Sequence, residues 1–563
     1  MKIFHPKQFM LDKGQSLKLI PLGGVGDVTK NMYIYEYDND IVIIDCGVGF
    51  PDEAMPGVDL VIPDISYLRE RINKIRGIII THGHEDHIGG LPYIWPELQV
   101  PIYTQKLTAG FIKAKFSEHN LPKNKIFEVK INEELNLGCF KVSFYQVSHS
   151  VPDSTGVVLR TPVGLIIHQA DFKIDWTPVS GQVTDVSTVS RLGAEGVLLL
   201  LIDCLRIDKP GFNKSEKSIE ESFEQVARET KGKLLITMTS SNVSRMQQAI
   251  NVSQRLGRKV AVVGRSFENN FQVSRDLGYL HVPPSVMIAS DAINSFAPNR
   301  LLVLIAGAQG QPDSSLSRVA NEEHKLIKLK VGDSVLFSAD PIPSTESAQN
   351  ALIDSLTTLG ANVYYSAITD SLHVSGHAAL EELRLMVNLI KPKFMMPIGG
   401  TYRHMKKFSQ VFTNMGYETD KILQVLDGDI LEVKPDNMKV SNRIEVQNVF
   451  VDGLGIGDVG HVVLRDRKVM SEEGIVVVVV PIDQHSGKSE GEIDVISRGF
   501  VFEEQSGGLL DEAKTLLKNN LDKHHHKISD WRFTRKLVED TLERFFYQAT
   551  LRRPLILSII VEV

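Results

Sequence analysis

Apolar and polar positions change rhythm along the chain. Up to about residue 210, short apolar runs alternate with short helical patterns. Gly77–Ile80 reads as a buried strand, and Phe140–Val147 alternates with the period of two of a half-buried strand. Ile166-Ile167 belongs to another apolar run, and Leu198–Asp203 closes this part as a last buried strand. From Ser215 the pattern changes. Ser218 to about Thr230 has helical periodicity, Lys233–Met238 reads as a strand, Ser244–Leu256 as a helix and Lys259–Val263 as a strand. That βαβ rhythm predicts a parallel sheet covered by helices. A helix from about Ala379 to Ile390 is ended by Pro392, and Phe394–Ile398 is the next strand. A third segment begins near Gln447. It holds a valine-rich strand at Gly474–Ile482, helices at Leu510–Leu521 and Asp530–Leu551, and a closing strand at Ile556–Val563. There is no internal repeat and no low-complexity tract.

A chain of 563 residues exceeds a single core and predicts about three domains. With 42% hydrophobic and 23% charged residues, its composition is that of an ordinary globular protein. No apolar stretch approaches the roughly 20 residues that span a bilayer, and Met1–Pro6 lacks a signal peptide's apolar region. Cys46, Cys139 and Cys204 are scattered and odd in number, so neither a disulfide framework nor a Cys-x-x-Cys site is expected. A reducing, cytoplasmic location is the simplest reading, with no membrane partner. The net charge of −7 excludes a generally basic nucleic-acid binder. Any nucleic acid must be gripped in a focused groove, with Lys113, Lys115, Lys325 to Lys330, Arg403, Lys406 and Lys407 as candidate contributors, each run being otherwise a solvated face. The triplet His524-His525-His526 has lysine neighbours and reads as a solvated turn rather than a metal site.

The chemistry concentrates in Thr81-His82-Gly83-His84-Glu85-Asp86-His87-Ile88-Gly89-Gly90, directly after the Gly77–Ile80 run. Imidazoles and carboxylates at this spacing suit zinc or manganese. Histidines two apart point the same way from an extended segment, and the following turn can carry Asp86 and His87 to a second ion. His149 and Asp171 also follow apolar strand patterns, and a carboxylate such as Asp171 can bridge two cations. Alone, each would be an ordinary loop residue; at strand ends they fit the same centre.

His-x-His-x-Asp-His with a later His and Asp resembles the metallo-β-lactamase superfamily. The wider text resembles the ribonuclease J family, over nearly the whole chain. The matching pieces include Gly23-Gly24-Val25-Gly26, Ile44-Asp45-Cys46-Gly47, His149-Ser150-Val151-Pro152-Asp153-Ser154, Pro210-Gly211-Phe212, Gly264-Arg265-Ser266, His373-Val374-Ser375-Gly376-His377 and Val451-Asp452-Gly453. The resemblance implies an α/β fold: a metallo-β-lactamase αββα sandwich, an inserted β-CASP α/β domain and a small C-terminal α+β domain. The expected parts are residues 1–212 and 369–445 for the sandwich, 213–368 for the insertion and 446–563 for the C-terminal domain. It implies hydrolysis of RNA, 5′-to-3′ from monophosphorylated ends and also internally, in RNA maturation and decay. By the same resemblance His82, His84 and His149 hold one ion, and Asp86, His87 and Asp171 the other, with Asp171 bridging. Zinc is the expected metal, with manganese or magnesium as other occupants. Asp86 orients the attacking water, Asp45 supports the metal loop, and His377 protonates the departing 3′ oxygen. His373, Val374, Ser375 and Gly376 complete the phosphate-binding loop, and Ser241, Asn242 and Arg245 resemble the grip on the RNA 5′ end, although Ser-Asn before a helix is also an ordinary N-cap. Expected partners are RNA, a second copy in a homodimer or homotetramer, and a paralogue or RNA-degradation complex.

The text departs from the family in three places. Gly399, in Pro397-Ile398-Gly399-Gly400, stands where the family carries a histidine ligand for the second ion. Cys204-Leu205-Arg206 replaces Ser-Thr-Asn after Asp203, and Ser244 replaces a histidine before Arg245. A working nuclease with a weaker second metal site is therefore expected. The alternatives are a catalytically reduced subunit that binds RNA or a paralogue, and a thioesterase-type hydrolase, against which the insertion and the His373–His377 motif argue.

Overall fold

The computed structural model describes residues 16–342, 345–369, 371–483, 491–501, 503–524 and 531–562. His525 and His526 lie outside the described residues, as does the N-terminal stretch Met1–Pro6. His524 follows the helix Glu503–Lys523 and donates from Nδ1 to Asn520 O at 2.9 Å.

The described residues form two compact units: those within 16–50 and 61–449, and those within 51–60 and 450–562. The short segment Pro51–Leu60 thus belongs with the C-terminal part, although the sequence expectation kept it within residues 1–212.

In the larger unit, two sheets face each other across one core. The eight-stranded sheet runs, in spatial order, Met438–Arg443, Asp429–Val433, Leu17–Gly23, Met32–Tyr37, Asp40–Ile44, Ile75–Ile79, Ile102–Thr104 and Ile126–Glu128. The six-stranded sheet runs Phe394–Ile398, Val197–Asp203, Gly164–Gln169, Thr155–Thr161, Phe140–Gln146 and Leu135–Leu137. Tyr33, Tyr35, Val42 and Ile79 of the first pack into the same buried cluster as Phe140, Val157, Ile166 and Leu200 of the second. Helices cover the outer faces, giving the αββα sandwich. Val186–Glu195 and Leu380–Ile390 pack against each other, and the latter buries Leu383, Met386, Val387 and Ile390 along one stripe.

The insertion enters between neighbouring strands. Val197–Asp203 and Phe394–Ile398 pair in parallel, with Asp203 opposite Ile398. Between them lies a five-stranded parallel sheet in the order Lys259–Val263, Leu301–Ile305, Leu234–Thr237, Ser334–Phe337, Asn362–Tyr364. Its inner strands are near-continuous apolar runs because helices cover them, and they have a core of their own. This arrangement brings the carboxyl end of the Val197–Asp203 strand, the return segment near His377 and the metal loop to one edge of the sandwich.

The smaller unit has a three-stranded sheet, Asp494–Arg498, Ile475–Ile482 and Leu555–Glu562, with helices Glu503–Lys523 and Trp531–Thr550 packed on one face. A helix at His461–Glu473 was not expected from the sequence.

Candidate metal centre

The site begins with a backbone constraint. Asp45 follows the strand Asp40–Ile44 and has a left-handed φ of 61°, a conformation that Asp tolerates better than most residues. Its Oδ1 accepts from Thr81 N at 2.8 Å, and its Oδ2 from His87 Nδ1 at 2.7 Å. Asp45 therefore braces both ends of the metal loop. His87 is left with Nε2 facing Asp86 Oδ2 and Asp171 Oδ1, each at 3.5 Å, with Asn31 Nδ2 at 3.3 Å.

His82, His84 and His149 converge beside it. His84 Nδ1 lies 3.1 Å from both His82 Nε2 and His149 Nε2. Asp171 Oδ2 is 3.5 Å from His82 Nε2 and 3.6 Å from His149 Nε2. Each ring's outer nitrogen has its own partner: Thr81 Oγ1 at 3.0 Å for His82, Ser150 Oγ at 2.8 Å for His84 and Gly376 O at 2.7 Å for His149. Those contacts turn the inner nitrogens toward one point. At Gly376 a Cβ would lie 2.6 Å from His149 Cε1, so only glycine allows this approach.

Donor atoms of His82, His84, His149 and Asp171 all lie within 4.8 Å of one another, as do those of Asp86, His87 and Asp171, and those of Asp171, Asp203 and His377. Asp171 is common to all three groups. The donors suit a cation on charge as well. Asp45, Asp86, Asp171 and Asp203 crowd around imidazoles in a largely buried site that opens to solvent at Asp86 and His377, whose side chains are 23% and 21% exposed.

Burial, helped by neighbouring imidazoles, pushes His84 and His149 well below the usual histidine range, leaving neutral rings with free lone pairs. His87 shifts the other way: burial opposes its charge, but Asp86, Asp45 and Asp171 outweigh that. Burial would also raise Asp171, yet His377 and His87 hold it well below the usual carboxylate range. A proton on His87 thus occupies charge space that suits a cation.

His377 closes the outer side. Its Nδ1 pairs with Asp203 Oδ2 at 2.8 Å and its Nε2 faces Asp171 Oδ2 at 3.7 Å. Burial works against its charge, but Asp171 and Asp203 carry its pKa up to about 9. Ser375 Oγ accepts from His377 N at 3.1 Å. Gly399 follows the strand that pairs with Asp203, and a Cβ there would lie 3.4 Å from Asp203 Oδ1. His404 is in none of these groups: its Nδ1 accepts from Thr401 N at 3.2 Å, closing the start of the helix Tyr402–Asn414.

The residues expected to grip the RNA 5′ end lie at the start of the helix Val243–Leu256. Asn242 is an N-cap, its Oδ1 accepting from Arg245 N at 3.0 Å, and Ser241 is buried beside it. Arg245 is buried, and its guanidinium is committed to Glu216 Oε1, Ser338 O, His373 Nδ1 and Val374 O. In this arrangement it has no free fork for a phosphate. Of the basic candidates, Lys113 and Lys115 are tied to Glu128 and Glu85 at 2.6 and 2.7 Å.

Sequence reasoning missed three supports of the site. Ser150 holds His84. The buried Glu382 accepts from Ile174 N at 2.8 Å, Asn213 Nδ2 at 2.8 Å and Ala379 N at 2.7 Å, binding the Asp171 loop to the return segment. Lys173 is buried between Asp175 and Glu216. The available signal for Glu382 was an acid one residue before the apolar stripe of its helix; Lys173 gave none.

Comparison with known proteins matches each part. Residues 25–173 match the metallo-beta-lactamase superfamily, and 231–356 the ribonuclease J beta-CASP domain. Residues 360–421 match the Zn-dependent metallo-hydrolase RNA specificity domain, and 462–563 the ribonuclease J C-terminal domain. Ribonuclease J2 of Bacillus subtilis is 35% identical over 98% of this chain and 99% of its own. Ribonuclease J 1 of Streptococcus pyogenes is 35% identical over 97% and 98%, and Ribonuclease J 2 of Staphylococcus aureus 32% over 98% and 99%. A crystal structure of a protein of unknown function from Enterococcus faecalis shares the fold over 74% of this chain and all of its own, with a TM-score of 0.53 at 15% identity.

Proposed function

The chain belongs to the ribonuclease J family, and on that premise we propose that this metal-dependent ribonuclease degrades RNA 5′-to-3′ from monophosphorylated ends, with some internal cleavage. The carrying observation is the Asp171 carboxylate shared by His82, His84 and His149 on one side and Asp86 and His87 on the other, with His377 against it.

His82, His84, His149 and Asp171 would hold one cation, and Asp86, His87 and Asp171 a second. Bound there, zinc, or manganese or magnesium in its place, supplies Lewis acidity toward water and offsets charge developing on the phosphate. Asp86, the partly exposed carboxylate, accepts a hydrogen bond from the attacking water and orients it. Asp203 holds His377 by Nδ1, so the opposite Nε2–H is directed into the site and can pass to the departing 3′ oxygen. Ser375 accepts from His377 N, which leaves its own hydroxyl hydrogen for a phosphate oxygen. The second group has no fourth donor at Gly399, so Asp86, His87 and Asp171 would hold their ion more weakly, and activity would fall first at that site when metal is scarce. The Cys46, Cys139 and Cys204 thiols are all unpaired, consistent with work in the cytoplasm on RNA maturation and decay. No described helix is long and apolar enough to cross a membrane. Association with a second copy, or with a paralogue or RNA-degradation complex, belongs to the same proposal.

The test uses purified protein with zinc or manganese and an internally labelled 5′-monophosphorylated RNA. Nucleoside 5′-monophosphates are expected, and a chelator should abolish them. Products ending in 2′,3′-cyclic phosphate, or indifference to the chelator, would overturn the reading, because the ribose hydroxyl would then be the nucleophile.

A further inference from the structure

A path of buried charges leads from the metal loops into the inserted domain and back. Lys173 lies two residues beyond Asp171, and its backbone N donates to Ser148 O, next to His149, at 2.9 Å. Its buried Nζ reaches Asp175 Oδ2 at 3.2 Å and Glu216 Oε2 at 3.4 Å. Glu216 lies at the start of the insertion and accepts from Arg245 Nε at 2.7 Å. Arg245 then reaches Ser338 O, His373 Nδ1 at 2.8 Å and Val374 O at 2.5 Å. The loop it holds returns to the start: Gly376 O accepts from His149 Nδ1 at 2.7 Å. Metal loop, insertion and phosphate loop thus form a closed ring of contacts.

Stability alone does not explain such a ring, since well-packed apolar groups of the same volume usually serve a core as well or better. A guanidinium fork bonded along several directions fixes orientation, which a lysine at the same place cannot do. The groups held at the far end, Ser375 and His377, are those that would meet the phosphate. We propose that Glu216 and Arg245 are positioning residues for RNA cleavage. Through the 373–377 loop they set Ser375 and His377 in register with His149, and Arg245 serves this purpose rather than clasping the RNA 5′ phosphate. The inference rests on the ribonuclease reading above.

The experiment is a double-mutant cycle in the full-length protein at saturating metal, with Glu216→Gln and Ser375→Ala and with kcat and KM measured on one RNA. Glu216→Gln keeps an oxygen for Arg245 but removes the charge that faces Lys173. If the loop is what Glu216 positions, Glu216→Gln lowers kcat/KM by about tenfold or more in the wild-type background, because small misplacements at a reacting centre are costly. In the Ser375→Ala background the same change should cost only about twofold, because residues acting through one another are not additive. Equal losses in both backgrounds, or no loss in either, would overturn the proposal. Should Glu216→Gln fail to fold, Arg245→Lys replaces it in the same cycle. A wild-type protein with no activity on RNA would instead sink the ribonuclease reading.

Discussion

Gly399 is the residue where sequence and geometry meet most directly. Its φ is +64° and the space ahead of its Cβ is bounded by Asp203 Oδ1 at 3.4 Å. A Cβ meets only ordinary contact there, but any side chain must adopt a left-handed backbone, at a cost of roughly 1–2 kcal/mol. Gly399→His is expected to raise RNase activity several-fold at limiting metal and much less at saturating metal, read from a metal titration of both proteins on one RNA. Tight binding of two ions by the wild type, with no gain in the variant, would show that the second site is already complete. A second prediction concerns Asp427, whose pKa burial raises to about 6. Its folded-state pKa is raised, so its contribution to stability is most favourable below about 4 and is lost as pH rises through about 6. Asp427→Asn keeps an oxygen for Val25 N. It should therefore stabilise the protein at pH 7.5 by about 1–2 kcal/mol, allowing for partial solvent access, and by much less at pH 4.5. Equal melting shifts at both pH values would exclude this cause. The candidate ligands were legible because their residue types stand at strand ends in short, dense motifs. The partners of the Arg245 guanidinium were not, because they lie far along the chain, at Glu216, Ser338 and Val374. No local pattern distinguishes a guanidinium that is free from one already engaged.

Elements were readable where a face is buried and unreadable where none is. The strand Lys259–Val263 and the strand Phe394–Ile398 match their expected bounds, because continuous apolar runs between polar breaks leave little ambiguity. Leu380–Ile390 and Val243–Leu256 differ from expectation by one residue each, at ends where helices fray or cap. His461–Glu473 escaped notice because Leu464 is its one buried residue, and Val462 and Val463 are exposed. Without an apolar stripe, periodicity carries no signal. The switch of Pro51–Leu60 to the C-terminal unit was equally hidden. It depends on contacts such as Asp59 N to Val451 O at 2.9 Å and Gly453 N to Asp59 Oδ2 at 2.8 Å, which span some four hundred residues.

At the scale of the whole molecule, the C-terminal sheet raises the question of assembly. Its central strand Ile475–Ile482 turns Val476, Val478 and Val480 inward against Leu517, Leu521, Val538 and Leu542. The other face is apolar at its centre, with Asp494 and Arg498 at the edge strand's ends. Val477 lies between Ile496 and Leu557 in register, and Val479 is beside Ile559. Ile496, Leu557, Ile559 and Val561 are each between 41% and 49% exposed. An exposed sheet face of this kind marks an interaction surface or an aggregation hazard, and a second copy would cover it. We therefore expect a homodimer or homotetramer in solution, with this face as its contact. Covering a large aliphatic side chain contributes about 1.5–3 kcal/mol, and less when it is already half-buried. Replacing two on each copy, Leu557→Lys with Ile559→Lys, should remove about 3 kcal/mol, or weaken association roughly a hundredfold. Light scattering at micromolar concentration should then show a lighter particle, while metal content stays unchanged because the donor groups belong to the other unit. An unchanged mass in the double variant would place association on another surface. A wild-type protein that is monomeric at that concentration would leave the apolar face for a paralogue, testable by mixing the two proteins.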